Sequence, residues 1–200
     1  MKTIVLKNEV LDEIDLSDFN KYVDWTESKN LFQYFNLDSG KEHYKLLVYL
    51  ANQFDKDTLL VDIGTYMGFS AVALAANGHK VITYDVCDWI PDEGDSIKTH
   101  PDITYKIMDC LNDMENLIKA EVIMLDIDPH DGIQEPEIIQ ALRDNNFKGM
   151  LILDDINLNK NMREFWENIP ETKYDVGKYG HWTSTGIVLF DPSKYNIVME

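Results

Sequence analysis

From Leu59 onward the sequence alternates short apolar runs with helical stretches, a pattern met by a parallel sheet covered with helices on both faces. Leu59-Leu60-Val61-Asp62-Ile63 reads as a buried strand, and Ser70 to Ala76 as an alanine-rich helix. Lys80 to Asp85 is a second strand; Ile103 to Met108 is a third, followed by a helix around Asn112 to Ile118. Glu121 to Leu125 makes the fourth strand and Glu135 to Asn145 its helix, then Met150 to Leu153 the fifth and Asn159 to Asn168 its helix. The alternation then breaks. Lys173 to Tyr179 and Gly186 to Asp191 both read as strands with no helix between them, a hairpin joined through Gly180 to Thr185. The apolar run Ile187 to Phe190 needs burial on both faces, which places this strand inside the sheet and not at its edge. The expected fold is α/β: a Rossmann-like, mostly parallel seven-stranded sheet with a C-terminal antiparallel hairpin.

Ahead of the alternation, Leu16 to Phe35 reads as a helical preamble rich in aromatics: Phe19, Tyr22, Trp25, Phe32, Tyr34 and Phe35. Ser39-Gly40-Lys41-Glu42 has the form of a capping box, and Leu46, Leu47, Leu50 and Phe54 follow at helical spacing, so an amphipathic helix of about 15 residues begins there. The chain accordingly divides into a helical extension or lid over residues 1–37 and a main domain over 38–200.

A length of 200 residues suits one domain with a sizeable core, and 44% hydrophobic with 27% charged residues is a globular composition. The formal net charge of −18 repels polyanions, so nucleic acid is not an expected partner. Met1 to Leu16 carries Glu9, Asp12, Glu13 and Asp15 and matches neither a signal nor a transit peptide. No apolar run approaches a membrane span. A cytoplasmic protein, with no membrane partner, is the expectation, and a homodimer is compatible with it. Cys87 and Cys110, each near a strand end and not paired as C-x-x-C, read as buried reduced thiols.

The densest chemical signal is Asp62-Ile63-Gly64-Thr65-Tyr66-Met67-Gly68-Phe69-Ser70, where a strand ends, a glycine turn follows and a helix starts. Gly64 and Gly68 would let the backbone approach a ligand, and Asp62 stands where open α/β sheets bind them, a carboxylate suited to a cationic amino group. The turn is not G-x-G-x-x-G, which disfavours a nicotinamide dinucleotide. Asp85 ends the second strand, 23 residues after Asp62, where a carboxylate can accept both hydroxyls of a ribose. Asp109 ends the third; it could receive an adenine amino group or simply cap the next helix.

With these residues the chain resembles the class I S-adenosylmethionine-dependent methyltransferases, and within them the catechol and caffeoyl-CoA O-methyltransferase-like group. The resemblance covers roughly residues 38–191. It rests on Ser39-Gly40-Lys41, on the glycine motif followed by Ala71-Val72-Ala73-Leu74-Ala75, and on the acid at Asp85. It also rests on Val122 to Asp126 and Leu151 to Asp155, both ending in acids, and on the closing Gly186 to Phe190. It implies S-adenosyl-L-methionine as cofactor, held by Asp62, Gly64, Tyr66, Gly68, Ser70, Asp85, Asp109 and Asp126, and a small-molecule methyl acceptor. It further implies a divalent cation such as Mg²⁺ on Asp126, Asp154 and Asp155, with Asp128 as a substitute for Asp126. Oxygen donors suit such a hard ion, and three carboxylates together repel one another without a cation. The ion would lower the acceptor hydroxyl's pKa, which makes Asp126 part of the catalytic set.

The chain departs from the group where the catechol enzymes carry a lysine base three residues after the first metal aspartate: Pro129 stands there. His130 and His181 are the replacement bases, since imidazole titrates in a useful range. A metal-independent methyltransferase and a non-catalytic cofactor-binding protein are the alternatives.

Overall fold

The computed structural model describes residues 1–23, 38–92 and 94–200, with side chains throughout these spans except at 17, 18, 20 and 38–42. The elements in order are β1 (Lys2–Leu6), α1 (Asn8–Asp12), α2 (Ser17–Val23), α3 (Asp38–Ala51), β2 (Leu59–Ile63), α4 (Phe69–Ala75) and β3 (Lys80–Asp85). They continue with β4 (Ile103–Ile107), α5 (Met114–Lys119), β5 (Val122–Leu125), α6 (Gln134–Asp144), β6 (Met150–Leu153), α7 (Lys160–Asn168), β7 (Thr172–Asp175), β8 (Gly186–Leu189) and β9 (Tyr195–Met199). Trp25, Phe32, Tyr34 and Phe35 lie outside the described residues, as do the side chains of the Ser39 to Glu42 capping box.

The main sheet has seven strands in the order β4-β3-β2-β5-β6-β8-β7. Pairings from β4 to β6 are parallel, whereas β8 runs antiparallel to both β6 and β7. All four residues of β8 are buried, which is the interior position its apolar run requires. Alternate residues of the central strands feed two cores. Leu60, Met124, Ile152 and Ile187 pack with Leu46 and Leu50 of α3 and Ala71 and Leu74 of α4 on one face. Val61, Ile123, Leu151 and Val188 pack with Ile138, Ile139 and Leu142 of α6 on the other. The period of two sends successive residues to opposite faces, and continuous apolar strands serve both.

Three local readings differ from the expectation. The strand expected over Lys173 to Tyr179 stops at Asp175, because Val176 leaves the extended region (φ −111°, ψ 18°) and Gly177–Tyr179 forms a 3₁₀ turn. Cys110 is buried but Cys87 is exposed, since it falls in the loop beyond the last residue of β3. The N-terminal residues also form a strand that the sequence pattern did not announce. β1 pairs in parallel with β9, from Lys2 opposite Tyr195 to Leu6 opposite Met199. Tyr49 Oη of α3 donates to the Val5 carbonyl at 2.5 Å, and Ile4, Leu6 and Leu11 are fully or almost fully buried. The chain's two ends therefore close against α3, the helix that carries His43 toward the carboxyl ends of the strands. Among the described residues no helix is long and apolar enough to cross a membrane.

Candidate active site at the carboxyl ends of the strands

The glycine turn after β2 is held by its neighbours on the sheet. Gly64 has φ +99°, and a Cβ there would lie 1.6 Å from the Asp126 carbonyl oxygen, so only glycine lets the turns after β2 and β5 meet. At Gly68 (φ +85°), which precedes α4, a Cβ would lie 2.5 Å from Cγ2 of Ile97. The two glycines thus serve close approach within the protein itself, a role the motif alone does not separate from ligand approach.

Asp62 is fully buried. Thr83 Oγ1 donates to its Oδ2 at 2.6 Å, while Oδ1 has no hydrogen-bond partner among the described residues. Burial pushes its carboxyl up to about 6, against the Thr83 hydrogen bond. Asp85 reaches back over the glycine turn. Its Oδ2 accepts from the Tyr66 N–H and its Oδ1 from the Cys87 N–H, each at 2.9 Å. Tyr66 (φ 42°) stands half-exposed with its ring 5.8 Å from that of Trp89. Ser70 is buried in the first turn of α4. Asp109 caps the 3₁₀ turn Cys110–Asp113 by accepting from the Leu111 N–H at 2.9 Å, so the cap is realised and the carboxylate is exposed beside it.

The acids after β5 and β6 are adjacent because β2, β5 and β6 are neighbours. They form two groups, which meet where His181 Nδ1 lies 3.9 Å from Asp155 Oδ1. In the first, His130 Nε2 stands 3.5 Å from Asp126 Oδ1, 3.6 Å from Asp128 Oδ1 and 3.4 Å from Asp155 Oδ2. Asn159 Nδ2 donates to the His130 carbonyl at 2.7 Å, tying this left-handed turn (φ 53°) to the start of α7. Burial and then the carboxylates of Asp154 and Asp155 hold the Asp126 carboxyl well above the ordinary range. Asp155 is raised by burial and by Asp154.

In the second group Asp154 is the hub. Its Oδ1 lies 2.6 Å from His181 Nε2, 3.4 Å from Thr185 Oγ1 and 3.8 Å from His43 Nδ1. His181 Nδ1 is hydrogen-bonded to Thr183 Oγ1, and His43 Nδ1 lies 3.3 Å from Thr185 Oγ1. Burial lowers His43 to about 4, so it is neutral at pH 7. Burial, the largest single influence, would lower His181 too, but the Asp154 hydrogen bond together with the charges of Asp154 and Asp155 outweighs it and raises the imidazole. Burial would push Asp154 up; the charge of His43 and the hydrogen bond and charge of His181 together outweigh it and bring the carboxyl down to about 2. The structure thus brings Asp126, Asp155 and His130 together, and Asp154 with His181. The sequence reading missed His43, which sits near the start of a helix pattern among the charged residues Lys41, Glu42 and Lys45. Only the path of α3 across the strand ends reveals where it points.

No family model matches the chain, and no curated protein matches it. Solved structures do. The O-methyltransferase TomG from Streptomyces achromogenes, involved in tomaymycin synthesis and bound to SAM, is 16% identical over 94% of this chain and 92% of its own, with a TM-score of 0.59. A provisional caffeoyl-CoA O-methyltransferase from Staphylococcus aureus is 13% identical over 88% and 99%, with a TM-score of 0.56. The O-methyltransferase from Bacillus cereus in complex with SAH is 16% identical over 92% of each chain, with a TM-score of 0.51. The shared property is the fold. This chain has the class I methyltransferase architecture, including the antiparallel β8 between β6 and β7.

Proposed function

We propose that this protein transfers a methyl group from S-adenosyl-L-methionine to an oxygen of a small-molecule acceptor. The observation that carries the reading is Asp85. Two backbone N–H groups fix its carboxylate over the glycine turn, at the end of β3 and beside the turn that leads into α4. Each oxygen keeps a free lone pair for a ribose hydroxyl. Asp62 supports it: a buried carboxylate oxygen without a hydrogen-bond partner among the described residues suits a cationic ligand group. When bound, the cofactor supplies an electrophilic methyl group on a sulfonium.

The chain's own residues then have distinct tasks. Asp62 and Asp85 hold the cofactor, with Gly64, Tyr66, Gly68 and Ser70 shaping the turn, and Asp109 and Asp126 stand at its border. His130 accepts the acceptor's hydroxyl proton; its Nε2 is the ring nitrogen that faces the strand ends, 3.4 Å from Asp155 Oδ2, 3.5 Å from Asp126 Oδ1 and 3.6 Å from Asp128 Oδ1. His181, with both ring nitrogens engaged, is less suited to that task. The net charge of −18 fits a neutral or cationic acceptor in place of nucleic acid. An all-oxygen Mg²⁺ site on Asp126, Asp154 and Asp155 fits these side chains poorly, since Asp154 Oδ1 is hydrogen-bonded to His181 and imidazole nitrogens of His130 and His181 stand against the other two acids. No step is therefore assigned to Mg²⁺.

Calorimetry with S-adenosylhomocysteine and with NAD tests the cofactor part. The methyltransferase reading expects saturable binding of the first alone. Binding of NAD alone would turn the reading toward an oxidoreductase.

A further inference from the structure

The donor set that converges at the strand ends is not the one the resemblance implies. Among the described residues, one group of three metal-capable side chains has its ligand atoms mutually within 4.8 Å: His43, Asp154 and His181. They arrive from three separate segments, α3, the turn after β6 and the connection between β7 and β8. Asp154 Oδ1 is close to both histidines, at 2.6 Å and 3.8 Å, and the two imidazoles meet edge to face with centroids 4.8 Å apart. Atoms spaced in this way can each come to about 2.0–2.2 Å from one ion with small side-chain rotations. His43 and Asp154 are 5% and 7% exposed, so water competes weakly for them.

The surroundings match a ligand shell. A ligating histidine turns one nitrogen to the ion while a hydrogen bond holds the other. His181 has this arrangement, with Nε2 toward Asp154 and Nδ1 on Thr183. Thr185 Oγ1 contacts both Asp154 and His43 and fixes their mutual orientation. Two imidazole nitrogens and one carboxylate form a donor set for zinc or a first-row transition ion, whereas Mg²⁺ selects oxygen.

We propose that His43, Asp154 and His181 bind one Zn²⁺ or similar first-row transition ion in preference to Mg²⁺. Binding of the ion stands on these side chains alone. Only its task, to receive the acceptor oxygen, rests on the methyl-transfer reading.

The test is titration of chelator-stripped full-length protein with Co²⁺, Zn²⁺ and Mg²⁺, followed by calorimetry and by the visible absorption of Co²⁺. The expected result is one Co²⁺ or Zn²⁺ per chain at micromolar or tighter affinity, a visible Co²⁺ spectrum with nitrogen ligation, and no comparable Mg²⁺ binding. His181→Gln and His43→Gln should each weaken Co²⁺ binding at least about tenfold. The wild-type spectrum decides the matter even where a substitution unfolds the chain. The proposal is overturned by the absence of saturable Co²⁺ and Zn²⁺ binding, by Mg²⁺ of equal affinity, or by Co²⁺ binding unchanged in both folded variants. Co²⁺ binding without methyl transfer counts against the functional reading alone; methyl transfer without Co²⁺ binding counts against this site alone.

Discussion

His181 Nε2 lies 2.6 Å from Asp154 Oδ1, joining the β7–β8 connection to the end of β6 through a hydrogen-bonded pair in a largely buried setting. The pair has a pH signature in metal-free protein. His181 is raised above its ordinary 6.5, so its stabilisation is fully present below that value and is lost as pH rises through the raised one. Asp154, depressed to about 2, contributes above 3.8 and loses its part as pH falls toward 2. Urea unfolding of wild type and His181→Gln from pH 5 to 9 should show the two stabilities converging as pH rises. A gap that widens toward pH 9 would contradict the pairing.

Asp62 should trade stability for binding. Its carboxyl, raised to about 6 by burial, must ionise at a cost when pH exceeds that value. Replacing it with the neutral isostere, Asp62→Asn, should raise stability at pH 8 by up to about 3 kcal/mol, the equivalent of roughly two pKa units. The advantage should shrink as pH falls from 6 toward 4. Cofactor affinity should fall in the same variant. Chemical denaturation at pH 8 and pH 5 checks the first point, and a less stable variant at pH 8 would refute it.

Gly64→Ala should be the most damaging change in the glycine turn. The new Cβ would lie 1.6 Å from a backbone carbonyl, and φ +99° is strained for any other residue. A loss of at least about 3 kcal/mol is expected, since neither β2 nor β5 can shift without disturbing the sheet. Near-wild-type thermal stability would mean that the turns after these strands stand farther apart.

Asp85→Ala should weaken S-adenosylhomocysteine binding by roughly one to three kcal/mol, the scale of lost charge-assisted hydrogen bonds. Calorimetry measures it directly, with unfolding curves to separate loss of affinity from loss of the Tyr66 and Cys87 backbone anchors. Unchanged affinity would remove Asp85 from the ribose site.

The sheet was legible because its inner strands are written as short runs rich in apolar and β-branched residues: Leu59 to Ile63, Lys80 to Asp85 and Met150 to Leu153 fall where expected. β8 was legible for the same reason, from Ile187 to Phe190. β1 and β9 were not, since a two-stranded parallel pair with only four of its ten residues buried leaves no such run, and its register depends on a distant part of the chain. At the site, the acids at strand ends could be counted from sequence, but not their partners. Asp154 and Asp155 are adjacent in the chain and both approach His181, yet only Asp155 also reaches His130, with its backbone in the left-handed region (φ 55°). His43 could be placed only once α3 was laid across the strand ends.

Methyl transfer itself is the most direct test of the account. The full-length protein, incubated with methyl-labelled S-adenosylmethionine and a panel of hydroxylated small molecules, should yield a labelled, O-methylated product by mass spectrometry together with S-adenosylhomocysteine. His130→Ala should slow that product while leaving cofactor affinity nearly unchanged, because His130 acts on the acceptor's proton. Cofactor bound with no label leaving it for any acceptor, with or without added divalent metal, would contradict the account and leave a cofactor-binding protein in its place.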